Sequence, residues 1–124
     1  MTEDLPVAFY GTLRRGERGF AELQLHERVR FLGSCRIAGV LCDLGAYPGL
    51  VEGNGSVVAE LYDLHDTDLL GELDYYELYD PARPDTSEFI RRRVRLLEPG
   101  REAWVYFYNG PCARPIASGD WLER

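Results

Sequence analysis

Apolar and polar positions alternate in several short runs of the chain, the pattern of strands that bury one face. Together with continuous apolar runs, which are typical of buried strands, this pattern predicts strands at residues 5–10, 29–42, 57–64, 89–97 and 103–108. In the fourth run apolar side chains alternate with arginines, and the fifth, AWVYFY, has strong β propensity. Gly33 and Gly39 interrupt the second run, and glycines inside strands often mark bulges or barrel corners.

Two segments have helical spacing instead. The first spans residues 20–27, with Phe20, Leu23 and Leu25 as its apolar side. The second begins at a cap supplied by Asp66 or Thr67 and runs to about Leu78. Its apolar face is formed by Leu69, Leu70, Leu73 and Tyr76. Pro81 and Pro84 follow and end the pattern.

The remaining segments predict turns and irregular structure. Residues 45–56, GAYPGLVEGNGS, are rich in turn formers, and Gly53-Asn54-Gly55 is typical of a hairpin connection. Residues 111–124 have no clear period, although Ile116 and Trp121 could anchor them to the body. Together these elements predict one α+β domain over residues 1–124. Its expected architecture is a small mixed β-barrel of five to six strands, closed or nearly closed and flanked by helices.

Composition restricts the function classes. Hydrophobic residues make up 45% of the 124 residues, which is typical of a globular fold, and no apolar run is long enough to cross a membrane. The net charge of −7 disfavours nucleic acid and anionic membranes as partners. All basic side chains besides histidine are arginines, which excludes Schiff-base lysines and suggests a GC-rich bacterial genome. The sequence does not determine the oligomeric state.

The cysteines and the first residues bear on the compartment. Three cysteines, an odd number with no C-x-x-C pair, predict neither a disulfide framework nor a zinc site. Residues 1–4 are acidic at two positions and lead directly into a strand, so we expect no secretory signal and a cytoplasmic protein. His26 and His65 belong to no ligand-spaced motif and are interpreted as surface or structural residues.

Glu77 is the first candidate for chemistry. It lies four residues after Leu73 and seven after Leu70, so helical periodicity places its carboxylate on the buried face. A carboxylate in an apolar cavity has a raised pKa and can carry a proton in both directions. The alternative is that the helix ends a turn early and leaves Glu77 at an exposed terminus.

The second candidate is the turn after the first strand, formed by Tyr10, Gly11, Thr12 and Leu13. Successive backbone N–H groups in such a turn can point into one concavity and bind an anion. An ordinary strand-to-loop turn is the alternative, and these four residues alone do not decide between the two.

A series of short motifs follows in order along the chain: YGTLR at residues 10–14, GVL at 39–41, YPGLV at 47–51, VVAELY at 57–62, LDYYE at 73–77, FIR at 89–91 with Val94 and Leu96, AWVY at 103–106 and GDW at 119–121. As an ordered set, these motifs resemble those of the gamma-glutamylcyclotransferase superfamily. In this comparison LDYYE matches the family's L-D-x-x-E motif, whose last residue is the catalytic glutamate.

The resemblance implies a β-barrel with a pocket at its mouth and an intramolecular aminolysis. The α-amino group of a γ-glutamyl amide attacks the γ-carbonyl, which releases 5-oxoproline and an amine or amino acid, a transferase- or lyase-type reaction. By position, Glu77 would be the general acid/base, and Tyr10, Gly11, Thr12 and Leu13 would bind the substrate. No metal and no organic cofactor is implied; the partner is a small γ-glutamyl molecule.

Two departures leave the substrate open. Thr12 and Leu13 stand where the branch acting on free γ-glutamyl amino acids has Ser and Asn. The Thr-Leu pair is closer to the γ-glutamylamine branch and to bacterial relatives of unknown activity. Phe89 stands where relatives often have Tyr, so a substrate-contacting hydroxyl is lacking. A non-catalytic small-molecule-binding protein on the same scaffold is therefore the alternative function.

Several other patterns have two interpretations. Arg91, Arg92 and Arg93 could bind nucleic acid, but acidic net charge and strand alternation favour a solvated face with ion pairs. The aromatic run at 104–108 could stack bases, although barrel packing explains it more simply. The tyrosines at 75, 76 and 79 could line a pocket or pack in the core. Cys42 has no histidine partner in sequence and is interpreted as a small buried residue.

Overall fold

The computed structural model describes residues 5–66 and 68–124 of the chain. Strands β1 to β5 span Val7–Phe9, Val29–Asp43, Pro48–Leu64, Phe89–Arg95 and Glu102–Tyr108, and helices α1 and α2 span Arg18–Glu22 and Asp68–Tyr76. Short 3₁₀ turns lie at Leu25–Glu27, Pro84–Thr86 and Trp121–Glu123. The predicted α+β class is confirmed. The prediction on residues 1–4 and the proposed cap by Thr67 fall outside the described residues.

The five strands form one mixed sheet in the order β2-β3-β1-β5-β4. Strand β1 lies in its centre, antiparallel to β3 and parallel to β5. Beyond the ladders, Arg36 of β2 exchanges two backbone hydrogen bonds with the segment after β4, from its N–H to Glu98 at 2.8 Å and from Leu97 to its carbonyl at 2.9 Å. These bonds draw the two edges together, so the sheet curls toward a barrel without completing one.

The hairpin predicted at residues 53–55 is wrong. Strand β3 runs through these glycines, and the chain reverses earlier, where the Leu44 N–H donates to the Tyr47 carbonyl at 3.0 Å. Residue 55 is glycine because a Cβ there would lie 2.6 Å from the Gly39 carbonyl of the paired strand. The predicted bulges in β2 are confirmed, since the register shifts between Phe31 and Gly33 and between Ala38 and Val40.

The first helical segment is shorter than predicted. It begins at Arg18, ends at Glu22, and is separated from the following 3₁₀ turn by Gln24, whose φ of 52° is left-handed. Leu25 of that turn is fully buried, as its apolar spacing predicts, whereas Phe20 and Leu23 are half-buried. No helix in the described ranges is long and apolar enough to cross a membrane.

Alternate residues of the central strands face two apolar clusters. Ala8, Leu61 and Val105 point into the hollow of the curved sheet, which Trp121 also fills. Val7, Tyr62 and Tyr106 face the opposite side, where the buried Leu69 and Leu73 of α2 pack. The predicted anchors of the C-terminal segment are thus confirmed, because Trp121 is buried and Ile116 packs against the first cluster.

The prediction that no disulfide forms is wrong. Cys42, near the end of β2, is bonded to Cys112, 70 residues later, and their Cα atoms are 5.7 Å apart. The C-terminal segment reaches this position because it runs beside β2, with Ile116 N–H donating to the Leu41 carbonyl at 2.7 Å. An odd number of cysteines still allows one pair, and Cys35 is left free and buried.

Candidate functional site

Helix α2 positions Glu77. The helix begins under the carboxylate of Asp66, which accepts a hydrogen bond from the Leu69 N–H at 2.9 Å and so acts as the predicted cap. Leu69 and Leu73 are fully buried, and this fixes the rotation of the helix about its axis. The Glu77 N–H donates to the Leu73 carbonyl at 2.9 Å, so Glu77 keeps the helical position that the periodicity predicts.

The helix nevertheless ends before Leu78. Leu78 has a left-handed φ of 57°, its N–H donates to Tyr75, and the Tyr79 N–H reaches back to Asp74 at 2.8 Å. This pair of bonds is a Schellman motif with leucine at the position that usually holds glycine. The helix therefore ends two residues earlier than predicted. The exposed Glu77 of the alternative interpretation is nevertheless not found, because Glu77 is half-buried and lines a cavity.

That cavity has a volume of about 290 Å³, near the lower end for small-molecule sites. Its lining brings together the two candidates of the sequence, Glu77 and all four loop residues, Tyr10, Gly11, Thr12 and Leu13. Tyr47, Glu88 and Phe89 complete the wall beside Glu77, and Arg18 and Glu22 contribute from α1. The strand-end loop and the helix-end carboxylate thus share one cavity.

Several bonds immobilise the loop. The Tyr10 hydroxyl donates to the Tyr106 carbonyl at 2.6 Å and accepts from the Leu50 N–H at 3.2 Å. The Gly11 carbonyl accepts from the Arg14 N–H at 3.0 Å, and the Thr12 carbonyl accepts from the Gly19 N–H of α1 at 2.8 Å. Within residues 5–66 and 68–124, nothing accepts from the N–H groups of Gly11, Thr12 and Leu13. The loop is rigid and retains backbone donors for a ligand.

A buried ionic cluster, which the sequence did not predict, holds the loop from behind. Arg14 donates to Glu60 of β3 at 3.1 Å and to Asp120 of the C-terminal segment at 2.8 Å. Glu60 also accepts from the Arg15 N–H and from the Tyr62 hydroxyl, both at 2.9 Å. We call Arg14, Glu60, Tyr62 and Asp120 the loop network. One signal was visible, since Glu60 is a charge in the middle of an apolar strand.

Asp74 forms a second cluster beside the cavity. It accepts two hydrogen bonds from the Arg91 guanidinium, at 2.8 and 3.2 Å, and one from the Tyr106 hydroxyl at 2.6 Å. Burial and the Asp74 bond together raise the pKa of Tyr106 far above its ordinary value. Asp74 lies on the same helical face as Glu77, three residues earlier, but its negative charge is compensated by Arg91.

The carboxylate of Glu77 has no such partner. In the described parts of the chain no group donates a hydrogen bond to it, and the residue lines the cavity. Burial, and after it the charges of Glu88 and Asp74, raise its pKa to about 8. The midpoint of its titration therefore lies near pH 8, close enough to neutral pH for the group to both donate and accept a proton.

The structure distinguishes between the alternative interpretations of the tyrosines near Glu77 and of the three consecutive arginines. Tyr76 lines the cavity, and its hydroxyl is 3.2 Å from that of Thr12, whereas Tyr75 is 84% exposed. Carboxylates pair with each of the three consecutive arginines: Arg91 with Asp74, Arg92 with Glu52 and Arg93 with Glu102. The predicted ion pairs are thus present, and Arg92 and Arg93 are exposed as expected, whereas Arg91 is half-buried beside Asp74.

Comparison with known proteins places this arrangement in a family. A "Putative gamma-glutamylcyclotransferase" of Vibrio cholerae is 40% identical over 120 residues, 95% of this chain and 96% of its own length. The solution structure of ytfP from Escherichia coli superposes with a TM-score of 0.69 at 32% identity, over 97% of this chain and 98% of that one.

A mouse aig2-like protein superposes with a TM-score of 0.64 at 25% identity, over 86% of this chain and 79% of its own. The family model described as "Gamma-glutamyl cyclotransferase, AIG2-like" matches residues 7–123. This range includes nearly all of the described fold and every residue that lines the cavity. The chain belongs to the gamma-glutamyl cyclotransferase, AIG2-like family.

Proposed function

We propose that the protein is an enzyme that converts a γ-glutamyl amide into 5-oxoproline and a free amine, with Glu77 as general acid/base. The observation that carries the proposal is the shared cavity, where an unpaired carboxylate with a raised pKa faces a rigid loop of unused backbone donors. Family membership supports the same reaction class.

The chemistry begins with a proton. An α-amino group is mostly an ammonium ion at neutral pH and must lose a proton before its nitrogen can attack. The pKa of Glu77, about 8, lies close to that of an α-amino group, so proton transfer between them is nearly balanced. The neutral nitrogen then forms a bond to the γ-carbonyl carbon, which closes the five-membered ring.

Breaking the amide bond requires the reverse transfer. Glu77 returns its proton to the leaving nitrogen, and the second proton of the attacking nitrogen also ends on the released amine, which carries an ammonium charge at neutral pH. Both reacting groups belong to one molecule, so holding the substrate in a folded conformation supplies much of the rate enhancement.

The loop of Tyr10, Gly11, Thr12 and Leu13 would hold the substrate in this folded conformation. The free N–H groups of Gly11, Thr12 and Leu13 are suited to the α-carboxylate of the glutamyl moiety, because successive backbone donors bind an anion without a cationic side chain. An α-carboxylate held there places the adjacent ammonium inside the cavity that Glu77 lines. The identity of the leaving amine stays open.

The test is a substrate panel. Purified protein is incubated with γ-glutamyl amines and γ-glutamyl dipeptides, and 5-oxoproline is quantified by mass spectrometry. We expect turnover of at least one compound and, in Glu77→Gln, a loss of about 10²–10⁴-fold, the usual contribution of one general acid/base. Glu77→Gln should keep the wild-type circular dichroism spectrum.

A matched control comes from the same helix. Glu72→Gln makes the same chemical change on the outer face of α2, where Glu72 pairs with Arg28, and it should keep wild-type turnover. Equal rates in Glu77→Gln and wild type would contradict the acid/base role. Binding of γ-glutamyl compounds without any turnover would favour the non-catalytic alternative.

A further inference from the structure

Backbone hydrogen bonds hold Glu88 close to Glu77. Its N–H donates at 3.1 Å to the carbonyl of Leu78, the residue directly after Glu77, and its own carbonyl accepts from the Asn109 N–H at 2.8 Å. The first bond ties the start of β4 to the end of α2, and the second ties it to the segment after β5. The side chains of Glu77 and Glu88 both line the cavity.

The side chain of Glu88 is held as well. The Tyr47 hydroxyl donates a hydrogen bond to its carboxylate, and this bond, together with burial, raises the pKa of Tyr47 to about 12. Tyr47 is neutral, so the bond brings no positive charge to Glu88. No cation in the described parts of the chain forms an ion pair with Glu88. It differs in this from Asp74, whose charge Arg91 compensates.

We propose that Glu88, held by Tyr47, is a positioning residue for the proton transfer, whose uncompensated charge acts through Glu77 to keep a proton there in the empty site. This rests on the function proposed above. As the substrate ammonium enters, Glu77 releases that proton to solvent, so the ammonium meets two carboxylates instead of one. The charge of Glu88 also makes the ionised Glu77 a stronger base and hence a better acceptor for the ammonium proton. Among the neighbours of Glu77, Glu88 has the larger influence on its pKa and Asp74 the smaller.

Other titratable groups also surround Glu77. The side chains that face the same cavity or act on Glu77 from the packed elements are Tyr10, Arg18, Glu22, Tyr47, Asp74, Tyr76, Glu88 and Tyr106. Arg18 is the one cation among them and donates to the Ala46 carbonyl at the exposed edge of the cavity. Burial of Tyr10 and Tyr106 and the Glu88 bond of Tyr47 raise the pKa values of these three hydroxyls, so they are neutral near pH 8. Glu22 forms no ion pair with the described residues, which leaves it as the other uncompensated carboxylate of the cavity.

The decisive measurement is independent of turnover. Protein labelled with ¹³C at the glutamate side-chain carboxyl is titrated by NMR, and the Glu77 resonance is assigned by its loss in Glu77→Gln. We expect the Glu77 midpoint to fall by about one pH unit in Glu88→Gln and to stay near the wild-type value in Glu88→Asp, which keeps the charge. Tyr47→Phe, which frees the Glu88 side chain, should give a smaller fall.

Glu22→Gln is the matched control, because it removes another carboxylate that lines the cavity but is not among the charges that raise the pKa of Glu77, and it should move the midpoint less than Glu88→Gln does. An unchanged midpoint in both Glu88→Gln and Tyr47→Phe overturns the proposal, even if wild-type protein is active. Where turnover is measurable, the acidic limb of the kcat/KM profile should shift downward in Glu88→Gln by the same amount. Absence of turnover in wild-type protein refutes the proposed function and leaves the NMR result to decide the role of Glu88.

Discussion

Two inward-facing carboxylates, Glu60 and Glu77, lie on opposite sides of the same loop and have opposite surroundings. Glu60 accepts hydrogen bonds from Arg14, from the Arg15 backbone and from Tyr62, and it is 8% exposed. Glu77 has no donor in the described parts of the chain, and its pKa is raised to about 8. The fold surrounds one carboxylate with hydrogen-bond donors and leaves the other without any.

The difference separates structural from chemical use of an acidic residue. A buried carboxylate with a full set of donors is inert, because any proton it accepted would break bonds that hold the loop. A carboxylate without donors lowers the stability of the native state when it is ionised, but it exchanges protons at neutral pH. The same substitution, glutamate to glutamine, should therefore have opposite consequences at the two positions.

Glu60→Gln should give the larger change in stability. The amide cannot accept every bond that the carboxylate accepts, and Arg14 loses one of the two charges that compensate its buried guanidinium. Removing one partner of a buried ion pair leaves the other uncompensated, so we expect a loss of about 3–4 kcal/mol in the free energy of unfolding. Urea denaturation followed by circular dichroism measures it.

The control is Glu52→Gln, which breaks the exposed pair with Arg92 and should change stability by less than about 0.5 kcal/mol. If Glu60→Gln were as mild as Glu52→Gln, the loop network would have no structural role. The contrast between the two carboxylates would then rest on Glu77 alone.

Glu77→Gln should instead stabilise the protein, and only above acidic pH. Below the ordinary value of 4.5 the carboxyl is protonated in both native and unfolded chains, so wild type and variant are equally stable. Between 4.5 and about 8 the unfolded chain releases the proton while the native state keeps it, which costs the wild type about 1.4 kcal/mol per pH unit. Because the oxygens face a cavity open to water, we expect a gain of about 2–3 kcal/mol at pH 9.

Denaturation of both proteins at pH 4 and at pH 9 checks the sign. The difference between variant and wild type should be absent at pH 4 and present at pH 9, and contributions of all other groups cancel in the comparison. Lower stability of Glu77→Gln at pH 9 would mean that Glu77 has a stabilising partner when ionised.

Helical periodicity predicted the position of Glu77 correctly, whereas the turn residues predicted a hairpin in the wrong place. The spacing of Leu69, Leu73 and Glu77 along α2 depends on helix geometry alone, and the structure keeps it. The hairpin at residues 53–55 was wrong because a glycine pair has two causes. It can form a turn, or it can allow close approach to another strand, here to Gly39, and the sequence does not state which partner is opposite.

The long-range pairings of side chains could not be predicted from the sequence. Arg14 meets Asp120 across 106 positions and Cys42 meets Cys112 across 70, and neither pairing leaves a local pattern. The position of Glu88 beside Glu77 depends likewise on a loop that returns the chain to the end of α2. Residue types along the chain indicate what each side chain can do, whereas the neighbours that compensate a charge are set by topology.

The smallest predicted effect concerns the helix end that presents Glu77. Leu78 occupies a left-handed conformation that disfavours side chains, and its own side chain is 60% exposed, so little packing is lost when it is removed. Leu78→Gly should therefore raise the free energy of unfolding by about 0.5–1 kcal/mol. Thermal denaturation measures the gain, and Leu78→Ala, which keeps the Cβ strain, is the control and should not stabilise. If both variants destabilise equally, the Leu78 side chain holds the end of α2 by its contacts, and the position of Glu77 depends on those contacts as well as on the Schellman bonds.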